Sequence, residues 1–177
     1  MDFRWISEKI LEEIKSILIQ VDKEKVENLV DIILSSERIF VTGLGRSGLV
    51  ARSFAIRLMH LGLKSLIVGD ITTPAIKKGD LLVAISGSGE TPIIHHIVSK
   101  AKEVEATAYL ITAKGEGCIG KICDNIVVLP ESDKHILPLR SAFEASAYIL
   151  LDTVVIMIMN RTGVTQQEMM QRHSNLE

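Results

Sequence analysis

The chain has 177 residues, 47% of them hydrophobic and 24% charged, which is long enough for one sizeable core and too apolar for global disorder. Twenty Lys and Arg against 22 Asp and Glu leave a net charge of −2, a balance that does not suggest a general binder of nucleic acid or anionic membrane. Aromatic residues make up only 4%, so the core is aliphatic and stacking platforms for single strands are scarce.

Two amphipathic helices are predicted first. Ile6, Ile10, Ile14, Ile17, Leu18 and Val21 recur at steps of three and four, and Val26, Leu29, Val30 and Ile33 repeat the pattern after the charged break at 22–25. Asp2, Glu8, Glu12 and Glu13 make this N-terminus unlike a signal peptide. The period then changes: Ile39-Phe40-Val41 is a short β-forming run ending at Gly43, followed by a helical face of Val50, Phe54, Leu58 and Leu61. The same grammar continues with strands at 65–68, 81–85, 106–112 and 126–129, and with a helix through Ile94, Ile97, Val98 and Ala101. Five strands that are apolar on both faces and alternate with helices predict an α/β fold with a covered parallel sheet. Ser141, with Glu144 three residues on, reads as a capping box opening a long helix, Phe143 to Met159, apolar nearly all round and so buried against the sheet and another element, even another subunit. Its most apolar stretch, from Ala145 to Met159, is interrupted by Ser146, Asp152 and Thr153 and falls short of the ~20 residues of a membrane span. The expected organisation is one domain over 1–177, with N-terminal helices at 3–36, a βα core at 38–130 and C-terminal helices at 141–172.

Cys118 and Cys123 form neither a C-x-x-C pair nor a disulfide framework, so free thiols in a reducing cytoplasm are expected. Two glycine turns carry the chemistry. Gly43, Gly45 and Gly48 match G-x-G-x-x-G, but no acidic residue ends the next strand as a dinucleotide site requires, Asp70 being a weak candidate. The second turn, Ser86-Gly87-Ser88-Gly89-Glu90-Thr91, joins a strand to a helix N-terminus and supplies three hydroxyls, bare backbone N–H groups and the positive end of a helix dipole. No Walker lysine follows, so a compact monophosphate fits better than a nucleoside triphosphate. In an open parallel sheet both turns belong to the carboxyl edge, where Gly45, Arg46 and Ser47 would face Ser86, Gly87, Ser88, Gly89 and Thr91 across one small anion.

The runs GLGRSGLVARSFAIRLMHLG at 43–62, SLIVGDITTP at 65–74 and GDLLVAISGSGETP at 79–92 resemble the SIS (sugar isomerase) domain family, in particular its 6-phospho-3-hexuloisomerases. LRSAFE at 139–144 and RHSNLE at 172–177 extend the likeness over most of the chain. The resemblance implies a flavodoxin-like three-layer sandwich with a five-stranded parallel sheet, a homotetramer, and interconversion of D-arabino-3-hexulose 6-phosphate and fructose 6-phosphate in the ribulose monophosphate route of formaldehyde handling. It also implies phosphate-binding hydroxyls at Ser47, Ser86, Ser88 and Thr91, and a proton-transferring base at Glu144. His173 matches a histidine that approaches a neighbouring subunit's site, and His60 one near the pocket. One departure stands out: related enzymes carry Gly-Thr/Ser-x-Phe-Glu, whereas Arg140 occupies the glycine position, where it would narrow the pocket or add a phosphate contact.

Moving a carbonyl between C3 and C2 requires a base and an enediol, with no metal or redox cofactor. His95 and His96 read as structural and His135 has no assigned role. Two other readings remain open: a different isomerase of this family, such as one acting on arabinose 5-phosphate, and a non-catalytic phosphosugar sensor. The mixed charges of the N-terminal segments, Glu8, Glu12, Glu13 and Glu24 among Arg4, Lys9, Lys15, Lys23 and Lys25, do not suit DNA binding by such a sensor.

Overall fold

The computed structural model describes residues 2–176. Its elements are α1 (Phe3–Leu18), α2 (Lys23–Ser35), β1 (Ile39–Gly43), α3 (Gly45–His60), β2 (Ser65–Ile67), β3 (Leu81–Ile85), α4 (Pro92–Glu103), β4 (Thr107–Thr112), β5 (Asn125–Val128), α5 (Ser141–Thr162) and α6 (Gln166–Gln171). The five strands pair in parallel in the order β2-β1-β3-β4-β5. β1 and β3 are neighbours in register, Ile39 opposite Leu81 and Gly43 opposite Ile85, so the two glycine turns leave the same sheet edge side by side. The chain steps from β1 to β2 on one side and to β3 on the other. That reversal is the point at which open α/β sheets bind ligands.

Strand alternation divides the core. Ile39, Val41, Leu81, Val83, Ile85, Tyr109 and Ile111 point to one face, where they pack with residues of α2, α3 and α5. Phe40, Leu82, Ala84, Ala108 and Leu110 point to the other, against Ile94, Val98 and Ala101 of α4. Each fully buried aliphatic side chain contributes about 1.5–3 kcal/mol, and this double burial is why the strands read as continuous apolar runs.

The expected alternation of strands with helices is corrected at two connections. No helix joins β2 to β3: residues 68–80 cross as coil, and β4 reaches β5 through a single 3₁₀ turn at Gly120–Ile122. The segment before β3 has Thr72, Thr73, Pro74 and Gly79 and no apolar stripe, so nothing favours a helix there.

α5 runs further than its apolar core predicts, 22 residues in place of 17. With the 3₁₀ turn before it, 138–162 is long and apolar enough by composition to cross a membrane, which corrects the length argument made from 145–159. Half of its most apolar 18-residue window is buried inside the protein, with α5 packed against α1, α2 and α3. The capping box expected at Ser141 and Glu144 does not form. Arg140 is the N-cap residue, in left-handed backbone, and makes no capping hydrogen bond. A complete capping box stands instead at Thr165 and Glu168, opening α6.

Gly43 and Gly48 explain the first glycine pattern without a dinucleotide. A Cβ on Gly43 would lie 2.7 Å from the Ser47 carbonyl oxygen, and one on Gly48 would lie 2.8 Å from the Gly43 oxygen. The glycines let the first turn of α3 press against the end of β1.

Candidate active site

The serine–glycine turn is built by its backbone. Gly89 N–H donates to the Ser86 carbonyl at 3.1 Å, closing a tight turn directly after β3. Gly89 has φ +66°, and a Cβ there would also lie 3.0 Å from the Lys114 carbonyl oxygen, so both conformation and space call for glycine. Ser86 Oγ and Thr91 Oγ1 lie 3.1 Å apart, and Ser88 Oγ accepts from Glu90 N–H at 3.2 Å. The N–H groups of Gly87, Ser88 and Thr91 take no partner among the described residues. Pro92 fills the first position of α4, where its missing donor costs nothing. The result is a cluster of unengaged donors at a helix N-terminus, the chemistry of an anion cradle.

Glu144 sits on the first turn of α5 and meets the other glycine turn. Its Oε1 accepts from Ser47 Oγ at 3.3 Å, and its Oε2 lies 3.3 Å from Arg46 Nη2. That ion pair is not aligned as a hydrogen bond, so Oε2 is buried with no donor directed at it. Arg46 is otherwise engaged with the chain leading into α5: Nη2 donates to the Leu139 carbonyl at 2.6 Å and Nη1 to Ser141 Oγ at 3.2 Å. The arginine in the glycine turn is thus tied to the carboxylate and its helix. Ser141 Oγ donates back to the Pro138 carbonyl, which is where the expected capping side chain goes.

A cavity of about 570 Å³ opens beside these groups, lined by Gly87 and Ser88 of the turn, Phe143 and Glu144 of α5, and a strap at 129–140. The size suits a small organic phosphate. Three residues of the strap, His135, Leu139 and Arg140, have left-handed backbone at φ +45°, +54° and +60°. Position 140 is where related enzymes would carry glycine, and the backbone shows why glycine suits it. Arg140 lines the cavity and pairs with Glu131, another lining residue, at 3.6 Å.

Several lining residues carry no expected role, His135 and Glu13 among them. His135 was obscured because its loop has no periodicity. Arg140, expected to narrow the pocket or add a phosphate contact, stands in the cavity wall. Glu13, on α1, carried a usable signal: it falls on the same helical stripe as Ile10, Ile14 and Ile17, where a charge has no reason to be.

His60 and His173 are brought together, but not here. Their rings stack 5.1 Å apart at 17°. His60 ends α3, whose 16 residues put its two ends about 22 Å apart at 1.5 Å per residue. His60 is thus not among the residues that line the chain's own cavity. Burial, then the neighbouring His173 and Arg57, hold the His60 imidazole below its usual range. Arg172 Nη1 donates to the His60 carbonyl at 3.0 Å and ties the C-terminal segment to this end. Asp70, the weak dinucleotide candidate, is paired with Arg52 at 2.8 Å. No group of three or more His, Cys, Asp or Glu able to hold a metal ion is found among the described residues.

The chain has relatives among known proteins. The SIS domain model matches residues 32–158. The 3-hexulose-6-phosphate isomerase of Bacillus subtilis is 40% identical, covering 96% of this chain and 96% of its own length. That of Methanocaldococcus jannaschii is also 40% identical, over 87% of this chain and 85% of its own. A crystal structure of a hypothetical protein from Methanococcus jannaschii, for which the function of 3-hexulose-6-phosphate isomerase has been inferred, superposes with a TM-score of 0.86 at 38% identity, covering 97% of both chains. The chain belongs to the SIS domain family, in the branch of these 3-hexulose-6-phosphate isomerases.

Proposed function

We propose that this protein interconverts D-arabino-3-hexulose 6-phosphate and fructose 6-phosphate through a cis-enediol. The observation that carries the reading is the Glu144 carboxylate lining a cavity beside an unengaged serine–glycine anion cradle, with one oxygen free of hydrogen bonds. The relatives named for this isomerisation match at 40% identity over most of the chain, which supports the substrate assignment.

The phosphate is assigned to the Ser86, Ser88 and Thr91 hydroxyls and the Gly87 and Ser88 amides, at the positive end of α4. Arg46 and Ser47 position Glu144 from its other side. Glu144 takes the C2 proton of the 3-hexulose, the C2–H electrons form the C2–C3 double bond, and the C3 oxygen gains a proton, giving the enediol. Glu144 then returns the proton to C3 as the C2 hydroxyl loses its own and becomes the carbonyl. The sum is a proton and carbonyl exchange between adjacent carbons, so the reaction requires neither metal nor redox cofactor. The transfers at oxygen need a second group. His173, with His60, is assigned that role in a neighbouring copy's site, within a homotetramer. The protein is read as soluble and cytoplasmic in the ribulose monophosphate route, a reading supported by the half-buried α5.

The test is NMR of the purified protein with fructose 6-phosphate in D2O, without metal or nucleotide. Hydrogen exchange at C3 of fructose 6-phosphate, together with signals of 3-hexulose 6-phosphate deuterated at C2, is the expected outcome. Saturable binding with no exchange overturns the isomerase reading in favour of a sensor, and exchange with arabinose 5-phosphate alone overturns the substrate.

A further inference from the structure

Three carboxylates line the cavity, and two of them have cations. Glu144 has Arg46 and Glu131 has Arg140. Glu13 has no ion-pair partner among the described residues, although it is only 2% exposed. Its Oε2 accepts one hydrogen bond, from Leu137 N–H at 2.8 Å, and Oε1 accepts none among the described residues. Oε1 is not one of the fully enclosed unpartnered oxygens, so on this otherwise buried residue it opens onto the cavity, where a ligand hydroxyl can reach it. The single bond to the strap does not account for the carboxylate, since an uncharged glutamine would accept from Leu137 equally well.

The distribution of charge orients a ligand. The free backbone donors of the cavity, the Gly87 and Ser88 amides, belong to the serine–glycine turn, while the rest of the wall carries three carboxylates and one arginine, Arg140, paired with Glu131. A phosphate is attracted to the turn and repelled most by Glu13, the one lining carboxylate with no cation beside it among the described residues. With the phosphate on C6 and the exchanging carbons at Glu144, the part of the substrate beyond the exchanging carbons is the C1 hydroxymethyl group. A neutral hydroxyl is what an unpaired buried carboxylate binds well, through a short charge-assisted O–H···O bond.

We propose that Glu13 is a substrate-binding residue: it accepts the C1 hydroxyl of the ketose phosphate and excludes a second anion from that end of the cavity. The inference rests on the function proposed above. It makes the enzyme selective for a free hydroxymethyl terminus over a deoxy or phosphorylated one.

Calorimetric titration of the full-length protein and of Glu13→Gln tests this with four ligands: fructose 6-phosphate, 1-deoxyfructose 6-phosphate, fructose 1,6-bisphosphate and inorganic phosphate. The native protein is expected to bind fructose 6-phosphate roughly 10- to 100-fold more tightly than the deoxy analogue, the span for a hydrogen bond to a charged group. In Glu13→Gln that ratio should fall to a few-fold, the bisphosphate should tighten about tenfold, and inorganic phosphate should be unchanged. An unchanged ratio or an unchanged bisphosphate affinity overturns the proposal. Equal weakening of all four ligands also overturns it, because Glu13 would then act only by anchoring the strap. If the variant does not fold, equal native affinities for fructose 6-phosphate and its deoxy analogue suffice to reject it. Intact discrimination without turnover in D2O removes the isomerase reading and leaves the Glu13 contact standing.

Discussion

Glu144 depends on two neighbours nearly a hundred residues earlier in the chain, since Ser47 and Arg46 reach it from the start of α3. Replacing it by glutamine keeps the size and the Ser47 contact but removes the base. Turnover of Glu144→Gln should fall by roughly 10²–10⁴-fold, while calorimetry shows fructose 6-phosphate affinity within a few-fold of native. Near-native turnover would end the base assignment. The role of Glu144 is legible only through the family resemblance, and the capping box expected of it with Ser141 is not formed. Nothing in the linear order of residues shows that Arg140 takes left-handed backbone or that Arg46 turns toward α5. Arg140 makes its own prediction. Left-handed backbone costs a non-glycine residue about 1–2 kcal/mol, while glycine loses about 0.4–1 kcal/mol through added freedom of the unfolded chain. The exposed pair with Glu131 at 3.6 Å adds little to set against that. Arg140→Gly should therefore raise stability by about 0.5–1 kcal/mol in urea unfolding, and a loss of stability would show that the side chain contributes more than its backbone costs.

Elements were legible wherever both sheet faces are buried, because β1, β3 and β4 need unbroken apolar runs. The missing helix between β2 and β3 was not, because its replacement is held by one buried carboxylate instead of an apolar stripe. Asp80 accepts from Arg38 Nε at 2.9 Å and from Lys77 N–H at 2.8 Å, clamping the crossing coil to the start of β1. The Arg38 guanidinium also lies 5.1 Å over the Phe40 ring. Asp80→Asn keeps one acceptor but leaves the guanidinium without its counter-charge, and should cost about 2–3 kcal/mol in urea unfolding with an unchanged slope. Burial alone would raise the Asp80 carboxyl, but the bonds from Arg38 and the Lys77 amide outweigh it and hold the group below the usual carboxylate range. A lowered folded value means that this stabilisation is complete above the unfolded value, about 3.9, and is lost as the pH falls through the lower folded one. The difference between native protein and Asp80→Asn should accordingly shrink below about pH 4. A difference that persists in acid would show that the ion pair is not its source.

At the scale of the whole molecule, the groups assigned to one reaction stand at opposite ends of α3. Glu144 lies beside its start, and the stacked His60 and His173 lie at its finish. A chain acting alone cannot bring the histidines to its own cavity, so their assigned role requires a second copy. The outer helix surfaces suit association: Leu49 and Ile56 on α3, and Tyr148, Ile149 and Ile156 on α5, are exposed on helices that pack together. Sharing of the site between copies can be tested by complementation. Glu144→Gln and His173→Ala should each be inactive when made alone. Co-expressed with different tags and purified through both, they should form mixed oligomers in which some sites draw an intact glutamate from one chain and an intact histidine from the other. Random assembly makes about a quarter of the sites whole, so activity should return to about that fraction of native. Mixed oligomers no more active than their parents would rule out a histidine supplied in trans, and an active His173→Ala homo-oligomer would remove His173 from the chemistry altogether.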